Sequence, residues 1–269
     1  MSGSGSGSKS WKKGDFSKKH TAPYRPNEED QSFMEGILIS RDAHYLAFSK
    51  PSGLACQTRN PDDRTFDKLL AVFARSNGKS PRMVHRLDAQ TSGVIIAANT
   101  KPAATFLSQR FEDRTASKTY VALCRGPAFK VVEAVIDVPL EKFQPGPNLT
   151  LSRAGQSAEA QRAVTDYIVL DSKNDVHLVA LKPRTGRMHQ IRVHMAHIGR
   201  PILGDPYYGH AESDVDRKVA RLMLHAQRLI IPHPKTGEID VVSDLPADMV
   251  EAAQSFGLDA ELARSFETG

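Results

Sequence analysis

The chain has 269 residues, 40% of them hydrophobic and 25% charged, with a formal net charge of +5. That is enough chain to bury a full core as one large domain or two small ones, and the charge excess is too mild to mark a nucleic-acid binder by itself. No apolar run approaches the roughly 20 residues of a membrane span, and no signal-peptide core opens the chain. Only Cys56 and Cys124 occur, with no Cys-x-x-Cys pair, which removes support for zinc-ribbon and redox folds. The expectation is a soluble, cytoplasmic protein with reduced thiols.

Residues 1–32 read as a flexible basic arm. A Gly/Ser tract is followed by Lys9, Lys12, Lys13, Lys18, Lys19 and Arg25, with Asp15 the only acid up to Pro26 and Trp11 and Phe16 interleaved. Such an arm either slides along RNA by counterion release and stacking or simply solubilises the chain. Order is expected from Phe33 and a main domain over residues 33–250. Ile37–Ile39 and Tyr45–Phe48 are short strands, the second ending in the turn Lys50-Pro51-Ser52-Gly53. Thr65 caps a helix with Phe66, Leu69, Leu70 and Phe73 on its apolar face, ending near Gly78.

His85 to Gly93 then forms a loop between the apolar runs Met83–Val84 and Val94–Ala98, carrying Asp88 as its one carboxylate and closing on Thr91-Ser92-Gly93. Thr100 caps a second helix, with Pro102 in its first turn and Ala103, Phe106, Leu107 and Phe111 on one face. Strands follow at Lys118–Cys124 and Val131–Val138. The Pro- and Gly-rich stretch 144–156 reads as an irregular loop. A strand pair, Ala163–Leu170 and Val176–Leu181, turns at Ser172–Asp175.

From Lys182 to Gly204 there is no carboxylate, while Lys182, Arg184, Arg187, Arg192 and Arg200 fall inside. Thr185-Gly186 is expected to launch a helix with Ile191, Met195 and Ile198 on one face, stopped at Gly199, with Arg187 near its anion-favouring N-terminus. An aromatic loop, Pro206–Gly209, precedes a hairpin of Leu222–Ile231 and Ile239–Val242. Short helices from about Pro246 close the chain, residues 251–269 forming a helical tail. Successive hairpins with few helices argue for an α+β fold, its sheet mixed but mainly antiparallel.

His85, His189, His194, His197 and His225 invite a metal reading, but no His-Glu-x-x-His occurs and His194 and His197 have no adjacent acidic ligand. Ser92 lacks a Gly-x-Ser-x-Gly elbow, and no phosphate-binding glycine loop is present. What remains is chemistry at a carboxylate without metal or cofactor. An Asp held charged by an Arg, a Tyr able to stack and move a proton, and arginines for phosphates suit a flipped nucleotide.

Four strings in order resemble the RluA-type pseudouridine synthases: Lys50-Pro51-Ser52-Gly53, His85-Arg86-Leu87-Asp88-Ala89-Gln90-Thr91-Ser92-Gly93, Lys118-Thr119-Tyr120, and Arg184 to His194. Pro201–Asp205 and Leu224-His225-Ala226 fit as well. The resemblance implies isomerisation of uridine in RNA by a cofactor-free, metal-free enzyme whose sheet lies in two halves flanked by helices, with the cleft between them. It implies Asp88 as the catalytic aspartate, Tyr120 as the residue that stacks on the uracil and takes the C5 proton, and Arg192 as the partner of Asp88. Arg86 would enter the stack the uridine leaves, and His85, Thr91, Lys118, Arg184, Arg187 and His189 would contact RNA. With ordered chain starting too late for the S4 domain of many relatives, the resemblance is to short, monomeric members acting on an rRNA or tRNA stem-loop. Attack at C1′, addition at C6 and abstraction of the C2′ proton all use the same carboxylate. A non-catalytic RNA-binding protein or RNA chaperone on this scaffold is the alternative.

Overall fold

The computed structural model describes residues 24–266, except 59, 61, 148 and 210–213; the basic arm lies almost wholly outside them. Helix α1, Glu28–Gly36, starts ahead of the expected Phe33 because Asn27 and Asp30 cap each other reciprocally. Buried Asp30 also takes bonds from Tyr24 Oη (2.6 Å) and Arg64 Nε (2.8 Å). Strands β1, Leu38–Arg41, and β2, Tyr45–Lys50, pair antiparallel. Under the Thr65 cap, α2, Phe66–Leu69, passes into a 3-10 turn at Leu70–Phe73 and stops there, short of Gly78. The polar residues beyond make their own turn, Arg75 N–H bonding Lys79 O and Gly78 N–H bonding Arg75 O.

Next come β3, Arg82–Met83, and β4, Ser92–Ala98, the latter buried throughout. Helix α3, Lys101–Glu112, is capped by Thr100 as expected. The strands β5, Ser117–Arg125, β6, Glu133–Asp137, β9, Val164–Lys173, and β10, Val176–Pro183, form near the expected places, β10 buried on both faces over its first six residues. Asn174 and Asp175 both take positive φ in the tight β9–β10 turn.

The expected loop at 144–156 is instead a hairpin of β7, Leu140–Gly146, and β8, Leu149–Ala154, in a two-stranded sheet of its own. Its Pro and Gly residues gather at the bend and bulge, while Leu140, Phe143 and Leu151 pack with Val193 and Tyr208 in a small separate core.

Helix α4, Gln190–His197, begins later than Thr185-Gly186. The buried Gln190 side chain accepts bonds from Arg187 N–H (3.0 Å) and the Thr185 hydroxyl (2.7 Å), which closes residues 185–189 as a loop. Arg187 therefore sits in that loop, not in a helix. Strands β11, Leu224–Pro232, and β12, Glu238–Val242, form the expected hairpin. Helix α5, Ala247–Ser255, runs across the expected boundary at 250, and α6, Glu261–Ser265, ends the described chain. These helices are not a tail, since Met249, Ala252, Ala253, Phe256, Leu258 and Ala263 belong to the main core.

Among the described residues, ten strands form one sheet in the order β1-β2-β4-β11-β5-β10-β9-β6, with β3 on β4 and β12 on β11. Every pairing in it is antiparallel except β4 with β11, which meet only at Ser92–His225 and Gly93–Ala226. Beyond that point the two strands part, and β3 and β12 take up the edges they leave. A core that includes Val94, Ile96, Leu107, Leu229 and Val241 fills the fork beneath α3. The sheet thus has two halves, as expected, joined directly behind the Asp88 loop.

Gly93 makes that junction possible. Its φ is +112°, and a Cβ there would collide with the Ala226 backbone. Gly93→Ala is expected to cost upward of about 2 kcal/mol of stability, measured by urea denaturation. A change below about 0.5 kcal/mol would show that the two halves separate at no cost.

Candidate active site

The Asp88 loop is tied down on both sides. Lys50, the last residue of β2, is fully buried, and its ammonium group donates to Pro51 O (2.9 Å), Leu54 O (2.9 Å) and Ala89 O (3.1 Å). Burial pulls its pKa down to about 8, against a smaller pull upward from Cys56 and Asp88. Gly53 N–H also bonds Ala89 O (2.8 Å), and Ser52 Oγ bonds Gln90 O (2.7 Å). Leu87 N–H meets Cys56 Sγ at 3.4 Å, and Thr91 N–H closes the turn on Asp88 O. The Lys50–Gly53 turn is therefore the cradle of the Asp88 loop, a role its turn chemistry did not reveal.

At the far end of the loop, Ser92 Oγ bonds Nδ1 of the buried His225 (2.9 Å), whose Nε2–H donates to Ser243 O (2.9 Å). Both ring nitrogens are thus used in the neutral form, and burial pushes the pKa from 6.5 down to about 4. Because the folded value lies below the unfolded one, the unfolded chain binds more protons between those pH values, so stability rises with pH across the window. The penalty is complete below about pH 4 and should reach roughly 3 kcal/mol. His85, pushed down to about 3 by burial and then by Lys118, acts in the same direction. Urea denaturation from pH 7 to 4 should show this loss, with a shallower slope in His225→Gln; an unchanged slope would mean that His225 titrates normally in the fold.

A cleft of about 510 Å³ opens over Asp88, floored by Tyr120, Leu224 and Ile191. Six cations line it (Arg86, Arg114, Lys118, Lys142, Arg187 and Arg192), with Asp88 as the one carboxylate among the described lining residues. Half-buried Tyr120 packs against the cores of both halves. Burial, and then the charge of Asp88, raise its pKa, so the phenol is neutral near pH 7. The Asp88 side chain is 28% exposed, its Oδ2 lying 3.6 Å from Arg192 Nη1 and 3.8 Å from His189 Nε2.

Arg192 is 3% exposed, and its principal partner is not Asp88. It makes a bidentate pair with buried Asp205 at 2.8 and 2.7 Å. Burial opposes its charge, but Asp205 first and Asp88 second more than offset this and raise its pKa. Tyr208 lies under the guanidinium, 5.0 Å from its ring centre, with Tyr207 at 5.6 Å.

A family model described as RNA pseudouridylate synthase matches residues 44–197, the span that holds Asp88, Tyr120 and Arg192. The chain belongs to this family. It is 39% identical over 207 residues to the dual-specificity RNA pseudouridine synthase RluA of Yersinia pestis, covering 75% of this chain and 94% of that protein. It is 35% identical over 215 residues to the Escherichia coli K12 protein of the same name, covering 79% and 93%. The solved structure of human RNA pseudouridylate synthase domain containing 4 superposes with a TM-score of 0.72 at 25% identity, covering 86% of this chain and 98% of that one. The chain is thus an RNA pseudouridine synthase, an isomerase acting on RNA.

For a member of this family, the fold brings most of the expected residues to one cleft. Arg86, His85, Thr91, Lys118, Arg187 and His189 all line it. Arg184 does not; it is held outside by two 2.6 Å bonds to Asp166 on the neighbouring strand. His85 serves mainly to hold the loop, accepting Ile96 N–H (3.0 Å) and stacking on Phe111. Sequence reasoning missed Arg114, Lys142 and Tyr208, and gave no role to Lys50 and Asp205, which it saw only as parts of matching strings. The run Gly204-Asp205-Pro206-Tyr207-Tyr208 carried a signal, a carboxylate beside aromatics after a carboxylate-free stretch, but its partner Arg192 is identifiable only in space. Among the described residues no group of three His, Cys, Asp or Glu could hold a metal ion, and no helix is long and apolar enough to cross a membrane.

Proposed function

We propose that this synthase acts through Asp88 on uridines in rRNA or tRNA stem-loops, as a cytoplasmic monomer that needs no metal or cofactor. The observation that carries the reading is one carboxylate set at the centre of a cleft otherwise lined by cations. A surface for RNA binding alone gains nothing from it, because a carboxylate there repels phosphate. A uridine flipped into the cleft stacks on Tyr120, Arg86 fills part of the space it leaves, and Lys118 and Arg187 hold flanking phosphates. The bond from C1′ to N1 breaks, the uracil turns in place, C1′ joins C5, and the proton leaving C5 passes by way of Tyr120 while N1 gains one. The carboxylate serves equally for attack at C1′, addition at C6 or abstraction at C2′. The basic residues of the N-terminal arm add affinity without sequence preference.

The dual-specificity name of the bacterial relatives supports a substrate range wider than one RNA. The test is to treat unmodified tRNA and rRNA transcripts with the protein and map pseudouridine by adduct formation and reverse-transcription stops. New sites in a stem-loop of either RNA are expected. Tight RNA binding with no new site in any transcript would overturn the reading.

A further inference from the structure

Asp88 Oδ2 faces His189 as well as Arg192, and His189 belongs to a hydrogen-bonded chain that ends on the β8 backbone. Ser152, buried on β8, gives its backbone N–H to Tyr208 Oη at 3.0 Å. A backbone N–H only donates, so the phenol oxygen accepts there and has one proton to give. His189 Nδ1 lies 2.8 Å from the same oxygen. With Nδ1 accepting, a neutral His189 carries its proton on Nε2, the nitrogen that points at Asp88.

The backbone is shaped to aim this ring. His189 sits at φ 55° in the left-handed region, uncommon for a residue other than glycine, and the Gln190 side chain holds the loop that precedes it. The groups facing the ring are Asp88, Arg86, Arg192, Asp205 and Tyr208, and burial is the largest influence keeping it neutral. Arg192 and His189 thus converge on one carboxylate oxygen, each a few tenths of an ångström beyond hydrogen-bonding distance, while Oδ1 accepts no side-chain or backbone bond among the described residues. Contacts of this kind commonly tighten when substrate binds.

We infer that Tyr208 and His189 are positioning residues, a neutral donor chain anchored on the β8 backbone that orients Asp88 and leaves its other oxygen for the substrate. The inference rests on Asp88 being the reacting carboxylate. A neutral donor suits the task, since it directs the carboxylate without setting a second full positive charge against it. The anchor lies on the β7–β8 hairpin, which also carries Lys142 to the cleft wall. RNA contact at Lys142 and orientation of Asp88 therefore share one support.

Tyr208→Phe removes the hydroxyl and keeps the ring beneath Arg192. It should lower the single-turnover rate on a substrate stem-loop by about tenfold, with RNA affinity within about twofold of wild type, as loss of an outer-shell partner does elsewhere. His189→Gln, whose amide N–H₂ stands near the place of Nε2, should keep more of the rate than His189→Ala. Imidazole ¹⁵N shifts should show the Nε2–H tautomer at His189 in the wild type and a mixture in Tyr208→Phe, with melting curves verifying the fold. A wild-type rate in Tyr208→Phe, equal losses in the two His189 variants, an Nδ1–H tautomer in the wild type, or a loss confined to RNA affinity would overturn the inference. Activity surviving in Asp88→Asn would instead remove the reading beneath it, while the ¹⁵N measurement still reports whether the chain exists.

Discussion

Asp88→Asn is expected to lower the rate of pseudouridine formation by at least about 10⁴-fold, with RNA affinity unchanged or slightly raised and the unfolding midpoint unchanged or slightly lowered. All three routes begin with an ionised carboxylate, and the amide has neither its charge nor its basicity. The shape survives, because the carboxamide oxygen can take the place of Oδ2 opposite Arg192 Nη1 and His189 Nε2. The loop survives as well, since Lys50, Gly53 and Ser52 hold it by the backbone oxygens of Ala89 and Gln90 and not by the side chain of Asp88. Removing the one described carboxylate from a cleft lined by six cations leaves phosphate binding at least as favourable as before. The C5 hydrogen is displaced in the reaction, so tritium release from RNA labelled at C5 of uridine reads the turnover directly. A rate within about tenfold of wild type would take Asp88 out of the chemistry.

Asp205→Ala is expected to cost about 3–5 kcal/mol of stability and to abolish activity with it, because it strands a buried guanidinium. Asp205 makes the two short bonds to Arg192, and its Oδ1 also accepts the N–H groups of Tyr207 (2.9 Å) and Tyr208 (3.2 Å). Removing it therefore frees the aromatic loop as well as the charge. The paired change Asp205→Leu with Arg192→Met should recover part of the stability, since a buried ion pair replaced by apolar groups is often nearly neutral, but none of the activity. Urea denaturation beside the tritium assay separates the two effects. A single Asp205→Ala variant as stable as the wild type would mean that Arg192 finds water or Asp88 as a full substitute.

The Asp88, Tyr120 and Arg192 positions were legible in the chain because short strings surround each of them and the strings occur in a fixed order. The strands were legible for a different reason: short, nearly continuous apolar runs such as Tyr120–Cys124 and Val176–Leu181 bury themselves wherever the sheet puts them. Thr100 with Pro102 announced its helix through local capping alone. Residues 144–156 misled, because Pro and Gly mark a hairpin's bend as readily as a loop, and the core that makes this one a hairpin comes partly from Val193 and Tyr208. The late start of α4 was hidden likewise, since it depends on where the Gln190 side chain turns.

By itself, then, the sequence determined what is local or repeated along the chain: the α+β class, the strand runs, the helix caps and the motif that carries Asp88. The tertiary structure decided the partnerships. Lys50 reaches Ala89, Arg192 prefers Asp205 to Asp88, Tyr208 joins Ser152 to His189, and β4 meets β11 only where Gly93 lets two backbones touch. Each joins side chains or strands separated along the chain, and a buried charge or hydrogen-bonding group takes whichever partner the packed chain brings within about 3 Å.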